Sequence, residues 1–281
     1  MTLSKAIERF KEYSSGIYSD ATAKTYLKQL GLFFKTIGDK EVKEITFEDI
    51  LKFKNFLYSK GNTSSSVAVS ISSIYRFFDF LQKVYKLNII PKEDLKILRP
   101  KVSQKIPAYL DRNTIQKLIS VCKDIEEEIV LKLLFYTGMR ASELLSLKEK
   151  DFVQIDDQWY VKIKGKGGYE RRIPLINDVV DTVQRYLTYI KVKGTPTDKL
   201  FPYTYNTLYY RIKRIAQRIG LDEISPHWLR HTCATEMLTQ GVDIRVIAEI
   251  CGHKSLNTTM RYAKVKPAIA REAIEKLKID G

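Results

Sequence analysis

The chain has 281 residues, 44% of them hydrophobic and 29% charged, which is enough apolar material for one large or two smaller packed cores and excludes a disordered polyelectrolyte. Lys and Arg number 48 against 33 acids, a net charge of +15 that favours a polyanionic partner such as nucleic acid. No run of roughly 18 uncharged apolar residues is present, so a membrane-spanning helix is not expected, and Cys122, Cys233 and Cys251 are too scattered for a disulfide framework. The first ten residues carry Lys5, Glu8 and Arg9 without an apolar stretch; no secretory leader is expected, and the expected compartment is the cytoplasm. The excess charge is +8 over residues 1–107 and +7 over residues 108–281, so it is not a detachable tail. Two surfaces that each meet the partner are expected.

The first hundred residues read as a bundle of about four helices. Tyr26, Leu30, Phe33, Phe34 and Ile37 recur at helical spacing. Thr46 is placed to cap a second helix with Asp49 at its third position, and Ile50, Phe53 and Leu57 share its face. Lys60-Gly61-Asn62 ends it, and Ser64 to Ser66 can cap the next, whose stripe is Val67, Ile71, Ile74, Phe78 and Leu81. Residues 88–107 lose the period and hold Pro91, Pro100 and Pro107 among basic residues, which reads as a linker. Helices follow over Asp111–Cys122 and Glu126–Tyr136, the second apolar enough for a central core position, with Gly138 suited to its end. The period then becomes two: Phe152–Ile155, a turn at Asp156-Asp157, Trp159–Lys164, a Gly165–Gly168 tip and a third strand over Tyr169–Leu175. After Asn177 the chain is helical again.

All three histidines, His227, His231 and His253, fall in the last 55 residues. Ser225-Pro226 reads as a helix start, with Ser225 as cap and Pro226 at the first position. His227 and Arg230 then share one face of the first turn, beside the positive end of the helix, which suits an anion. A zinc site is a poor fit, because no Cys-x-x-Cys pair exists and His-Trp-Leu-Arg-His (227–231) has an arginine where a metalloprotease helix carries glutamate. Lys164-Gly165-Lys166-Gly167-Gly168 lacks the order of a nucleotide phosphate loop and reads as a hairpin tip that projects a lysine. A short helix over Val242–Ile250 precedes Cys251-Gly252-His253, and Tyr262 follows nine residues later.

Thr-Gly-Met-Arg-Ala-Ser-Glu-Leu (137–144), His-Trp-Leu-Arg-His (227–231), Cys-Gly-His-Lys-Ser (251–255) and Thr-Thr-Met-Arg-Tyr (258–262) together resemble the tyrosine recombinase, or phage integrase, family in order and spacing. The Gly165-Lys166-Gly167 hairpin followed by Glu170-Arg171-Arg172-Ile-Pro-Leu resembles the family's lysine hairpin. One departure is Cys251, which stands where a leucine is common. The resemblance covers residues 108–265 by motif and is nearest to the short Xer type, for which no arm-binding domain ahead of residue 1 is expected.

The resemblance implies a mainly α fold with a small antiparallel β-sheet in the C-terminal domain, and two domains forming a clamp around DNA. Residues 1–87 would be a helical, SAM-like core-binding domain, 88–107 a basic linker and 108–281 the catalytic domain. Residues 267–281 would form a helix that docks on a neighbouring subunit or on its own domain. Tyr262 would be the nucleophile giving a 3′-phosphotyrosyl link. Arg140 and Arg230 would hold the phosphate oxygens, His227 would accept a proton, Lys166 would protonate the leaving 5′-oxygen, and His253 would hydrogen-bond the phosphate. No metal and no cofactor are implied. Glu143 could hold Arg140 at i, i+3 spacing, and His231 could orient His227 or simply pack. The implied partners are double-stranded DNA bearing a specific site and further copies of the chain, in a tetramer on two duplexes, with no membrane. Chromosome or plasmid dimer resolution is the leading role; a mobile-element integrase, a type IB topoisomerase-like enzyme and a non-catalytic DNA-binding protein are the alternatives.

Overall fold

A computed structural model describes residues 1–102, 109–165, 168–194, 198–253 and 259–260. Packing divides the chain into two units, Met1–Gln104 and Lys105–Gly281. The first contains α1 (Leu3–Ile17), α2 (Asp20–Ile37), α3 (Phe47–Ser59), α4 (Ser64–Tyr85) and α5 (Lys92–Leu98). Leu30 and Phe33 of α2, Ile50, Phe53 and Leu57 of α3, and Val67, Ile71, Ile74 and Leu81 of α4 fill one core, so the helical spacing marked the buried faces. Phe10 of α1 joins it against Phe77 and Phe80, with ring centroids 5.6 and 5.4 Å away.

Local chemistry sets the helix starts. The Thr46 amide donates to Asp49 Oδ2 at 3.0 Å while the Asp49 amide donates back to Thr46 Oγ1 at 3.4 Å, which is the reciprocal cap expected at α3. The cap of α4 is Thr63 rather than the serines after it: its Oγ1 accepts from the Ser66 amide, and Ser64 to Ser66 form the first turn. The expected linker of residues 88–107 contains α5. Leu95 and Leu98 of that helix are 2% and 3% exposed and belong to the first core, so this apolar pair overrides the prolines around it.

The second unit continues with α6 (Arg112–Ser120), α7 (Ile125–Thr137), α8 (Ala141–Leu144), β1 (Phe152–Ile155), β2 (Gln158–Lys164), β3 (Glu170–Pro174), α9 (Asn177–Lys193), α10 (Tyr205–Gln217), α11 (Pro226–Thr239) and α12 (Ile244–Cys251). Helix α7 is the central element, buried on every side from Ile129 to Leu134 and packed against α9 and α11. Its one buried ammonium, Lys132, is bound by Asp178 at 2.7 Å, Glu128 at 2.8 Å and the Thr182 hydroxyl at 2.9 Å. The sheet is antiparallel in the order β1-β2-β3. Asp156 and Asp157 both take positive φ, 48° and 61°, as a two-residue hairpin turn requires. The register pairs Val161 with Ile173 and Ile163 with Arg171, so Arg171 lies on the inward face of β3 among apolar neighbours.

Candidate active site

Gly138 ends α7 with φ at 57°, and the chain turns at once into Arg140, the residue preceding α8. A Cβ at Gly138 would stand 3.0 Å from Cys251 Sγ and 3.2 Å from Cys233 Sγ, so both backbone conformation and space require glycine there. Glu143, in the first turn of α8, accepts from the Arg140 amide at 2.7 Å and from its Nη1 at 2.9 Å; the expected i, i+3 pair exists. Arg140 Nη2 donates to the Gly252 carbonyl at 2.7 Å. Arg230, 2% exposed, donates to the carbonyl of Gly138. Arg171 donates from Nε to the Ile250 carbonyl at 2.8 Å and from both terminal nitrogens to Glu143 at 3.1 and 2.8 Å.

A single physical device gathers these three cations. Gly138 and Gly252 cap the C-terminal ends of α7 and α12, where carbonyls lack intrahelical partners and carry partial negative charge. Each guanidinium binds a carbonyl at one of those ends, and two of them share the Glu143 carboxylate. Burial alone would raise the Glu143 pKa, but hydrogen bonds from Arg171 and the Arg140 amide, with the charges of both arginines, hold it below the usual carboxylate range.

The histidines complete the cluster. His227 lies in the first turn of α11, and its ring meets that of His231 edge-on with centroids 4.1 Å apart. Protein packed around the His227 ring, then the charges of Arg230 and Arg140, lower its pKa. His253 follows the Gly252 turn, with Nδ1 2.8 Å from Thr259 Oγ1. Desolvation, then Arg230, Arg140, His231 and Arg171, lower its pKa to about 3. Both rings are therefore held toward the neutral form first by burial and then by the neighbouring arginines, whose charge an anionic ligand would meet. Ser225 occupies the cap position of α11, but its side chain makes no capping bond; the Trp228 amide reaches its backbone carbonyl instead.

The structure thus brings Arg140, His227, Arg230 and His253 together, although they are drawn from three separate segments. Lys166, Tyr262 and residues 267–281 lie outside the described residues. Among the described residues no three of His, Cys, Asp and Glu gather as metal ligands. Sequence reasoning assigned no role to Arg171 or Thr259, and to Gly252 only the end of the short helix ahead of His253, which it does form. The signal for Arg171 was its parity: it occupies the inward position of a strand whose next inward residue is Ile173, and a charge there calls for a buried acid.

Residues 108–268 match the phage integrase family, and residues 7–83 match the phage integrase N-terminal SAM-like domain. Tyrosine recombinase XerA of Pyrococcus horikoshii is 33% identical over 270 residues, 93% of this chain and 89% of the relative. The crystal structure of XerA recombinase matches with a TM-score of 0.56 and 27% identity over 99% of this chain and 100% of that one. The XerH site-specific recombinase bound to its difH substrate in a pre-cleavage complex shares the fold, with a TM-score of 0.77 at 20% identity, covering 97% and 95% of the two chains. The arginines and histidines gathered around the ends of α7 and α12 fall within these matches, and the chain belongs to the phage integrase family, the tyrosine recombinases, enzymes of site-specific DNA cleavage and rejoining.

Proposed function

We propose that this chain is a cytoplasmic, Xer-type site-specific recombinase that acts through a 3′-phosphotyrosyl intermediate and resolves chromosome or plasmid dimers. The observation that carries the catalytic reading is the convergence of Arg140, Arg230, His227 and His253 on one positively surrounded point. In this reading Tyr262 attacks the scissile phosphorus. The bond to the 5′-oxygen breaks, the phosphate passes to the tyrosine oxygen, and a free 5′-hydroxyl leaves. The phosphodiester energy is kept in the adduct, so a second 5′-hydroxyl can reverse the step on another strand without a nucleotide cofactor.

Each residue type suits its role. A tyrosine with pKa about 10 costs roughly 4 kcal/mol to deprotonate at neutral pH. A lowered His227 pKa keeps that ring neutral and able to accept the proton. Arg140 and Arg230 match the non-bridging oxygens with planar donor forks that stay charged, each worth about 3 kcal/mol by comparison with oxyanion donors. Because their guanidiniums are already anchored on helix-end carbonyls, little reorganisation accompanies the build-up of charge. His253, oriented by Thr259, would donate to the same phosphate, and Lys166 would protonate the leaving oxygen. Arginines in place of a metal and a transferable phosphotyrosine together make a cofactor unnecessary.

Residues 1–98, whose core includes α5, and the catalytic unit would each bind the duplex. Residues 267–281 would dock on a neighbouring subunit within a tetramer holding two duplexes. The test is covalent capture on fragmented host DNA with wild type and Tyr262→Phe. Wild-type adducts converging on one sequence, absent from the variant, are expected. Adducts at the ends of a mobile element would replace the dimer-resolution role; adducts scattered over all sequences would support a topoisomerase; no adduct would leave only DNA binding.

A further inference from the structure

Arg171 is 5% exposed and touches three segments at once. It forms two hydrogen bonds to Glu143, the carboxylate that also grips Arg140. It donates to the carbonyl of Ile250, two residues before the Gly252 turn that delivers His253. A Cβ built on Gly252 would lie 2.7 Å from its Nη1, and one built on Gly165, at the neck of the β2–β3 hairpin, would lie 4.0 Å from the same atom. A buried ion pair contributes little net stability compared with apolar residues of the same volume.

We propose that Arg171 is a positioning residue for strand cleavage, which shares the Glu143 carboxylate so that the Arg140 guanidinium is held on its acid through Nη1 alone rather than drawn onto both oxygens and away from phosphate, and which fixes the Ile250–Gly252 turn ahead of His253. Without Arg171, Glu143 would have Arg140 as its remaining guanidinium partner, and a carboxylate competes directly with phosphate for that fork. Lysine cannot replace it, because one ammonium cannot meet two carboxylate oxygens in plane and a carbonyl on the opposite side. The inference rests on the assignment of Arg140 to the scissile phosphate.

The test measures single-turnover adduct formation on a duplex selected by capture with the wild-type chain. The scissile phosphate is either natural or replaced by an uncharged methylphosphonate, which has less negative charge for a cation to stabilise. Arg171→Gln and Arg171→Lys are compared with Arg140→Ala, with DNA affinity and melting temperature measured for each. On the natural duplex Arg171→Gln is expected to lose about tenfold to a hundredfold in cleavage, the scale of a sub-ångström to ångström misplacement, with affinity held within about threefold. On the methylphosphonate the deficit of Arg171→Gln should shrink in parallel with that of Arg140→Ala, and Arg171→Lys should fall between wild type and glutamine on both. Relief of Arg140→Ala without relief of Arg171→Gln would make Arg171 a merely structural residue and overturn the proposal, as would undiminished cleavage by Arg171→Gln. If Arg140→Ala is not relieved, the assignment of Arg140 fails instead; if wild type forms no adduct, the recombinase reading fails. Should Arg171→Gln not fold, Arg171→Lys, which keeps the buried charge, decides by the same ratio.

Discussion

Gly252→Ala tests the packing of the site without removing any charged group. Gly252 has φ at 63°, a conformation that costs an L-residue about 1 kcal/mol or more. Its added Cβ would meet Arg171 at 2.7 Å from Nη1, 2.9 Å from Cζ and 3.3 Å from Nε, the stiff end of a side chain held by Glu143 and Ile250. Relief requires the guanidinium to leave its carboxylate, and breaking a buried pair costs about 3 kcal/mol or more. The total is about 4 kcal/mol, which for a unit of this size lowers the melting temperature by roughly 10 °C. Gly241→Ala is the reference: its φ is 78° and nothing lies within 4 Å of its Cβ, so only the conformational cost applies, about 1 kcal/mol or roughly 3 °C. Calorimetry of both variants gives the clash by difference. Melting temperatures within about 2 °C of each other would refute the argument that Gly252 is required by the approach of Arg171.

Four further outcomes are expected. Tyr262→Phe should bind DNA as wild type does and form no covalent adduct; loss of binding as well would remove the tyrosine from the role assigned to it. Glu143→Gln leaves two guanidiniums facing a neutral amide, one of them buried, and should destabilise the chain by about 3–5 kcal/mol in urea unfolding; a change below 1 kcal/mol would contradict the charge arrangement around α8. The His253 pKa, about 3 in the fold, lies below its ordinary value near 6.5, so the unfolded chain binds the extra proton. Its contribution to stability is therefore full above about pH 6.5 and declines as pH falls toward about 3, by at most about 1.4 kcal/mol per pH unit; His253→Asn should flatten this decline, and an unchanged pH profile would count against it. DNA affinity should fall steeply with salt, by about 0.9 in log K per neutralised phosphate per log unit of salt, and a flat response would remove the inference from net charge.

Much of the fold was legible because its causes are local. The stripes from Tyr26 to Leu81, the Thr46–Asp49 cap, the Asp156-Asp157 turn and the glycine end of α7 each depend on residues within a few positions of one another. Helix α5 was not legible, since Pro91 and Pro100 dominate the local pattern while Leu95 and Leu98 gain their burial from α3 and α4. Ser225 was legible as a position, at the start of α11, but not as a hydrogen bond.

Among the site residues, sequence alone determined the chemical types and their order: an arginine after the α7 glycine, a histidine and an arginine one turn apart on α11, and a histidine after the α12 glycine. Only the tertiary structure decided what holds them. Arg140 reaches Gly252 across 112 residues, Arg230 reaches Gly138 across 92, and Arg171 reaches Glu143 across 28. Such pairings follow from which helix ends the packed core brings side by side. A run of residues states its own periodicity and caps, but not which carbonyl or carboxylate will face it once the chain has closed.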